Sequence, residues 1–326
     1  MPAIGVLVPI DPDRPIAPPE ERPIGRAALT LASEGLTVVF GDDLDCGALS
    51  GLVATPGGWV RAERVAVAAL IDRFPSQNRA DRYAHILENR AGLPLANRPE
   101  FTLLCRDKLR CQQTLEAAGL EAPPVEADPT RFADRLSDWG SAFLKPRYGA
   151  LGVGVRRVVP GDPLPATLPG VVPGRPDPAI LQRAVPPPAG WAGWSVRVLA
   201  QRGADERWHL GEPIVRRSRK DPVVNAARGA EVRAGCEVLD PPLRAQVEAH
   251  TRAVVGPLTA HPDAIELGVD LVIDEEGRSH VVEVNSRPRG RMEVLARRDP
   301  ERFGAAHEAA CGRPLRLMAR RHANWR

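Results

Sequence analysis

Apolar and polar positions alternate with two periods along this chain, and the changes between them mark out its elements. Residues 4–10 form a short apolar run that reads as a strand. A helix follows at 24–33, entered through Pro23 and stopped by Gly35. Residues 37–40 continue as a strand. Segments 52–55 and 59–61 flank a Pro56-Gly57-Gly58 turn, and 65–71 reads as a separate buried strand. Residues 79–91 read as a helix. A longer one is predicted over 100–118, with Phe101, Leu104, Cys105, Leu115 and Ala118 on its apolar stripe and Gly119 at its end. Strands are then predicted at 142–146, 179–185, 194–201 and 213–217, a helix at 241–255, and two more strands at 267–273 and 280–285. Residues 162–178 are Pro-rich and without period, and 291–326 read as partly helical. No Gly-x-Gly-x-x-Gly turn follows the first strand, which argues against dinucleotide binding there.

The last two strands carry the sharpest chemistry. Period-two alternation puts Glu283 and Asn285 on one strand face. If 275–278 form a four-residue hairpin loop, Asp270 lies directly across from Glu283. Like charges placed opposite one another destabilise a sheet, and a cation between them removes the cost. Two carboxylates and an amide make an all-oxygen set suited to Mg²⁺, which keeps water and phosphate in its shell. A solvated hairpin with two wet acids is the alternative on this stretch alone.

Two lysines and a glycine loop change that balance. Lys108 falls on the apolar stripe of the predicted 100–118 helix, where it either snorkels to water or meets a buried anion. Lys145 closes a short apolar strand and leads into Gly149, Gly152 and Gly154, a loop whose backbone N–H groups can approach phosphate oxygens closely.

Composition narrows the class. The 326 residues allow two or three compact units, and 43% hydrophobic content fits a globular chain. A net charge of +3 gives no global case for nucleic-acid binding. Five scattered cysteines without a Cys-x-x-Cys pair argue against a disulfide framework or a structural zinc. No apolar run approaches the roughly 20 residues that cross a bilayer, and the expected location is the cytoplasm.

Taken in order, Asp107-Lys108, Phe143-Leu144-Lys145-Pro146-Arg147-Tyr148-Gly149, Leu181-Gln182, Arg197, Asn225, Asp270 and Glu283-x-Asn285 resemble the ATP-grasp superfamily from about residue 97 to 290. The likeness is strongest to its YheC/YheD (endospore-coat-associated) type, through Pro56-Gly57-Gly58-Trp59, Ile71-Asp72-Arg73-Phe74-Pro75 and residues 97–108. It is looser to RimK-type and glutathione-synthetase-type ligases. The resemblance implies an α/β (α+β) ATP-grasp fold: an N-terminal α/β domain over 1–96, a subdomain with a Gly-rich lid over 97–185, and a metal-bearing subdomain over 186–326. It further implies that Lys108 and Lys145 hold ATP phosphates under the lid of Gly149, Gly152 and Gly154. The strand of Leu181, Gln182 and Arg183 would line the adenine pocket, with Asn225 also among the nucleotide ligands. Asp270, Glu283 and Asn285 would hold one or two Mg²⁺ ions, or Mn²⁺ in their place. Arg197, with Arg216 or Arg217, would stabilise the transferred phosphoryl group. Arg287 and Arg289 would clamp an anionic acceptor. Relatives often carry an acid for the ribose where this chain has residues 186–190, and an acid at the position of Ser195.

The implied activity is ADP-forming ligation of a small-molecule or peptide carboxylate to an amine through an acyl-phosphate, the acceptor being an amino acid or peptide. The expected partners exclude membrane and nucleic acid, and the assembly considered is a homodimer. The competing readings are a kinase acting on a hydroxyl and a non-catalytic ATP-binding structural protein.

Overall fold

Residues 2–10, 23–76, 79–150, 152–172, 174–224, 229–260, 263–288 and 292–324 are described by the computed structural model, and they build three β-sheets. The first contains β1 (Ala3–Leu7), β2 (Val38–Asp45), β3 (Ala48–Thr55), β4 (Gly58–Asp72) and β5 (Leu95–Ala96), with helices α1 (Pro23–Ser33) and α2 (Ala80–Glu88). β1 runs parallel to both β2 and β4, while β2, β3 and β4 form an antiparallel meander. The two segments predicted at 59–61 and 65–71 are one strand. Both halves pair with β3, and the polar stretch between them is absorbed where the register shifts and Arg64 takes a φ of 51°.

The single helix predicted over 100–118 is two helices, α3 (Pro99–Arg106) and α4 (Lys108–Ala117). Asp107 breaks it by leaving the helical region (φ −79°, ψ 93°) and capping α4, its side chain accepting from Arg110 N at 3.2 Å. Lys108 therefore opens a helix rather than riding on a continuous stripe. Next come β6 (Val125–Glu126), α5 (Phe132–Trp139), β7 (Ala142–Pro146), β8 (Arg156–Val158), β9 (Thr167–Pro169) and β10 (Pro176–Arg183), in the sheet order β6-β10-β7-β8 with β9 on β10. The Pro-rich stretch thus contains paired strand. Pro169, Pro176 and Pro178 sit at the β9–β10 edge, where a missing N–H costs little.

The third sheet holds β11 (Gly193–Arg202), β12 (Trp208–Leu210), β13 (Ile214–Ser218), β14 (Glu231–Ala234), β15 (Glu266–Ile273) and β16 (Ser279–Asn285). Its helices are α6 (Gly235–Val238), α7 (Pro241–Leu258), α8 (Met292–Arg298) and α9 (Pro300–His322). Val196, Val198, Val215, Val269, Leu271, Val281 and Val284 bury one face of this sheet with Val247 and Val254 of α7 and Phe101 and Leu115 of α3 and α4. α9 turns back to the first sheet, where Leu315, Leu317 and Met318 pack with Ile4, Val6, Leu31 and Val38. The C-terminal helix thereby completes the core of the N-terminal layer. No helix among the described residues is long and apolar enough to cross a membrane.

Candidate active site

The face of the third sheet opposite the α7 core is polar, and strand register arranges it in rows. One row is Arg216–Ser195–Val272–His280, and the next is Ile214–Arg197–Asp270–Glu283. Asn285 follows beyond Glu283, opposite Gly268. The hairpin loop is one residue longer than the four predicted, because Ile273 pairs with Ser279. A bulge then opposes Asp270 and Leu271 to Glu283 and Val281, leaving Val282 over. The extra residue restores the Asp270–Glu283 pairing. It also lets Val281 and Val284, three positions apart, both reach the core.

Asp270 is buried and saturated with donors. Arg197 grips it with both Nε (2.9 Å) and Nη2 (2.5 Å), Arg216 Nη2 donates at 2.6 Å, and Asn285 Nδ2 at 2.9 Å. Burial pushes its pKa up, but the two guanidinium groups outweigh burial and hold the carboxyl below its ordinary value. Glu283 accepts no hydrogen bond or ion pair among the described residues, and its charge acts on Lys145, Arg197 and Cys111. Two buried donors in the same corner, Ser195 Oγ and Arg216 Nε, have no partner among the described residues. An oxyanion there would satisfy both.

The second sheet faces this corner with its own charges. Ala142 and Leu144 of β7 point into the small core under α5, so Phe143 and Lys145 point the other way. Lys145 keeps part of its surface in solvent, yet protein surrounds its ammonium group. Burial lowers its pKa to about 8, with the carboxylates of Glu283 and Asp270 opposing and the Lys108 charge adding to the depression. Its Nζ donates to Gln182 Oε1, and Gln182 is fixed in turn by Gln112 Oε1 at 3.1 Å. Lys108 Nζ donates to the carbonyl of Gly149 and so ties α4 to the glycine loop. Gly154 has a φ of +71°, and a Cβ there would lie 2.9 Å from Pro146, so the loop can fold over β7 only with glycine. Gly152 shares the positive φ, at 73°.

Of the predicted residues, the structure brings together Lys108, Lys145, Gly149, Arg197, Arg216, Asp270, Glu283 and Asn285. Arg217 points to the opposite face, bound to Glu231 at 2.9 Å and lying over the Trp191 and Trp194 rings. β10 holds Leu181 and Gln182 between β6 and β7; the Leu181 side chain is in the core, and Arg183 is exposed. Arg287 is engaged with the first sheet rather than open to solvent, its Nη2 donating to Asp72. Asn225 and Arg289 lie outside the described residues.

Several supporting residues escaped sequence reasoning. Arg147 binds both oxygens of Asp107 at 2.8 and 2.6 Å, and Asn97 accepts from Ile265 N at 2.8 Å while donating to Glu266 O at 2.7 Å. Only the capping pattern at Asp107 could have announced the first of these. The others depend on contacts between distant segments.

No group of three or more His, Cys, Asp or Glu among the described residues could hold a metal ion. The oxygens that remain are the free Glu283 carboxylate, the Asn285 amide oxygen, and Asp270 once an arginine releases it. That set fits Mg²⁺ arriving with an anionic ligand, which would draw the arginines onto itself.

Residues 192–303 match the model of the YheC/D-like ATP-grasp family. Among solved structures, D-alanyl-alanine synthetase A from Vibrio cholerae matches with a TM-score of 0.60 at 13% identity, covering 95% of this chain and 97% of that one. A RimK domain ATP-grasp protein from Sphaerobacter thermophilus matches at 0.54 with 19% identity, covering 95% and 99%. The ATP-grasp ligase PsnB, solved with a phosphomimetic precursor variant, Mg and ADP, matches at 0.57 with 15% identity, covering 98% and 97%. At these identities the likeness establishes the ATP-grasp fold. No curated protein sequence matches the chain.

Proposed function

We propose that this chain, whose residues 192–303 match the YheC/D-like ATP-grasp family, is an ADP-forming carboxylate–amine ligase. The observation that carries this reading is the convergence of Lys108, from the start of α4, and Lys145, from β7 of the second sheet, on Asp270, Glu283 and Arg197 of the third. Cations and acceptors brought together between two sheets suit a polyphosphate and the metal that travels with it. Three units would contribute, following roughly residues 1–96, 97–185 and 186–326.

In this reading Lys108 and Lys145 neutralise the ATP phosphates, with the loop of Gly149, Gly152 and Gly154 closing over them. The β10 strand of Leu181, Gln182 and Arg183 borders the base, and Asn225 completes the nucleotide contacts. Glu283, Asn285 and Asp270 would hold Mg²⁺, which supplies charge neutralisation at the phosphoryl oxygens. Arg197 and Arg216 move from Asp270 onto the transferring phosphoryl group. A substrate carboxylate oxygen attacks the γ-phosphorus, the bond to the bridging oxygen of ADP breaks, and ADP leaves. An amine then attacks the acyl carbon, loses a proton to solvent and expels inorganic phosphate, leaving an amide. These roles require positioning and charge, and no nucleophilic side chain.

The test is an ADP-release screen that pairs candidate carboxylates, including amino acids and peptides, with candidate amines, followed by mass spectrometry of the hits. The expected hit releases ADP only with both substrates, yields a product lighter than their sum by one water, and is lost in Glu283→Ala. Magnesium-dependent turnover retained in Glu283→Ala would overturn the site assignment. A stable phosphoester would point to a kinase instead, and nucleotide binding without ADP release across the panel to a structural role.

A further inference from the structure

The carboxyl end of β4 is tied to the β15–β16 hairpin by two adjacent residues of opposite charge. Asp72, 0% exposed, pairs with Arg287, while Arg73 pairs with Glu266, 2% exposed, at the start of β15. The hairpin is thus held at both of its strands, β15 before Asp270 and β16 just after Asn285. Arg287 is fixed further: its Nη1 donates to the Phe74 carbonyl and lies 3.4 Å from Ser76 Oγ, and its Nη2 lies 3.3 Å from Tyr83 Oη. Asp72 has its own supports, accepting from Phe74 N at 2.9 Å and from the Tyr83 hydroxyl. Burial, and then the Asp72 charge, push the Tyr83 pKa well above its ordinary value, so its hydroxyl remains a donor.

Three consecutive residues from the end of β16 onward are consequently pinned by three separate parts of the chain. Asn285 is held to Asp270, the Ser286 carbonyl accepts from Asn97 Nδ2, and Arg287 is held to Asp72. Gly268 lets the chain beyond close down, since a Cβ there would meet Pro288 Cβ at 3.0 Å. Arg287 Nη1 and Nη2 both bind inside the protein, and its buried Nε has no partner among the described residues.

We propose that Asp72 and Tyr83, two residues of the N-terminal layer, act through Arg287 as positioning residues for the Glu283–Asn285 metal ligands. This rests on the ligase reading only in taking Glu283 and Asn285 as the metal ligands. The N-terminal layer and the metal site are mechanically one object, so a perturbation at the buried end of β4 is read out in metal-dependent nucleotide binding. Groups that orient metal ligands from the outer shell affect metal affinity by about 10- to 100-fold when removed.

The experiment measures the Mg²⁺ dependence of binding of a non-hydrolysable ATP analogue by calorimetry, alongside thermal melting. Asp72→Asn is expected to raise the half-saturating Mg²⁺ about tenfold in protein that remains folded. Tyr83→Phe, which removes one hydroxyl and keeps the ring, is expected to shift it in the same direction by a smaller factor, and it stands in if Asp72→Asn does not fold. Glu34→Gln cuts an exposed tie between the residue after α1 and Arg316 of α9, remote from the hairpin, and is expected to leave the Mg²⁺ dependence unchanged. Lowered melting temperatures with an unaltered Mg²⁺ dependence in the variants would overturn the proposal, as would an equal shift in Glu34→Gln. A wild-type protein that binds no nucleotide with Mg²⁺ would overturn both this inference and the ligase reading, whereas failure of the variants alone overturns only this one.

Discussion

Lys145 owes its properties to position more than to type. Its pKa is lowered from 10.5 to about 8, mainly by burial, and the opposing pull of Glu283 does not restore it. Phosphate anions favour the charged form, so nucleotide binding raises the pKa and draws in a proton wherever the free site is neutral. The affinity for nucleotide is therefore expected to be level below about pH 8 and to fall as pH rises through 8, with proton uptake on binding at pH 9 measured by calorimetry in buffers of different ionisation enthalpy. A flat affinity and no uptake would contradict the placement. For stability the sign runs the other way: between 8 and 10.5 the unfolded chain holds more protons, so this lysine's burial penalises the fold less as pH rises. That Asp270 faces Glu283, with Asn285 two positions further along the same strand, could be read from residue type and spacing. That Gln182 receives the Lys145 ammonium could not, because their strands meet only through an antiparallel pairing 37 residues apart.

At the scale of elements, the break between α3 and α4 is the most consequential departure from the sequence pattern. An apolar stripe at helical spacing runs across it, and periodicity is blind to a one-residue interruption that shifts the phase only slightly. The cap is what decides: Asp107 accepts from Arg110 N and binds Arg147 through both carboxylate oxygens, and Lys108 N donates to the Arg147 carbonyl at 3.2 Å. Asp107→Ala removes a cap worth about 1 kcal/mol and leaves Arg147 half-buried without its carboxylate, so a loss of roughly 2–3 kcal/mol is expected in urea unfolding. Burial raises the Asp107 pKa, but its hydrogen bonds prevail and the net shift is downward. The contribution is thus fully present above the ordinary value of 3.8 and fades as pH falls below it. An unchanged urea midpoint at pH 7, or a difference that grows on acidification below pH 4, would contradict this account. The final hairpin shows the converse case. Its alternation and turn residues made Asp270 opposite Glu283 readable, even though the loop takes one residue more and a bulge at Val282 compensates.

Across the whole molecule, three segments that sequence treats as successive are interleaved in space. α9 completes the core of the first sheet, Asn97 joins the start of β15 to the end of β16, and Asp72 and Arg73 tie β4 to both strands of the hairpin. The order of motifs predicted the ATP-grasp fold because each short pattern has a local physical cause, a turn, a cap or an alternation. The ties between layers were not readable, since a buried Asp72 or Asn97 looks like any other polar residue until its distant partner is known. Under the proposed ligase reading they matter because acyl transfer needs acceptor, phosphate and metal held in one frame. The most direct test of that chemistry uses a carboxylate substrate found by the screen and labelled with ¹⁸O in its carboxyl group. Attack of that oxygen on the γ-phosphorus, followed by displacement by the amine, transfers one labelled oxygen to inorganic phosphate, visible by mass spectrometry or as an isotope shift in the phosphorus NMR spectrum. Labelled phosphate formed with ADP and amide is the predicted result; ADP and amide accompanied by unlabelled phosphate would contradict an acyl-phosphate route.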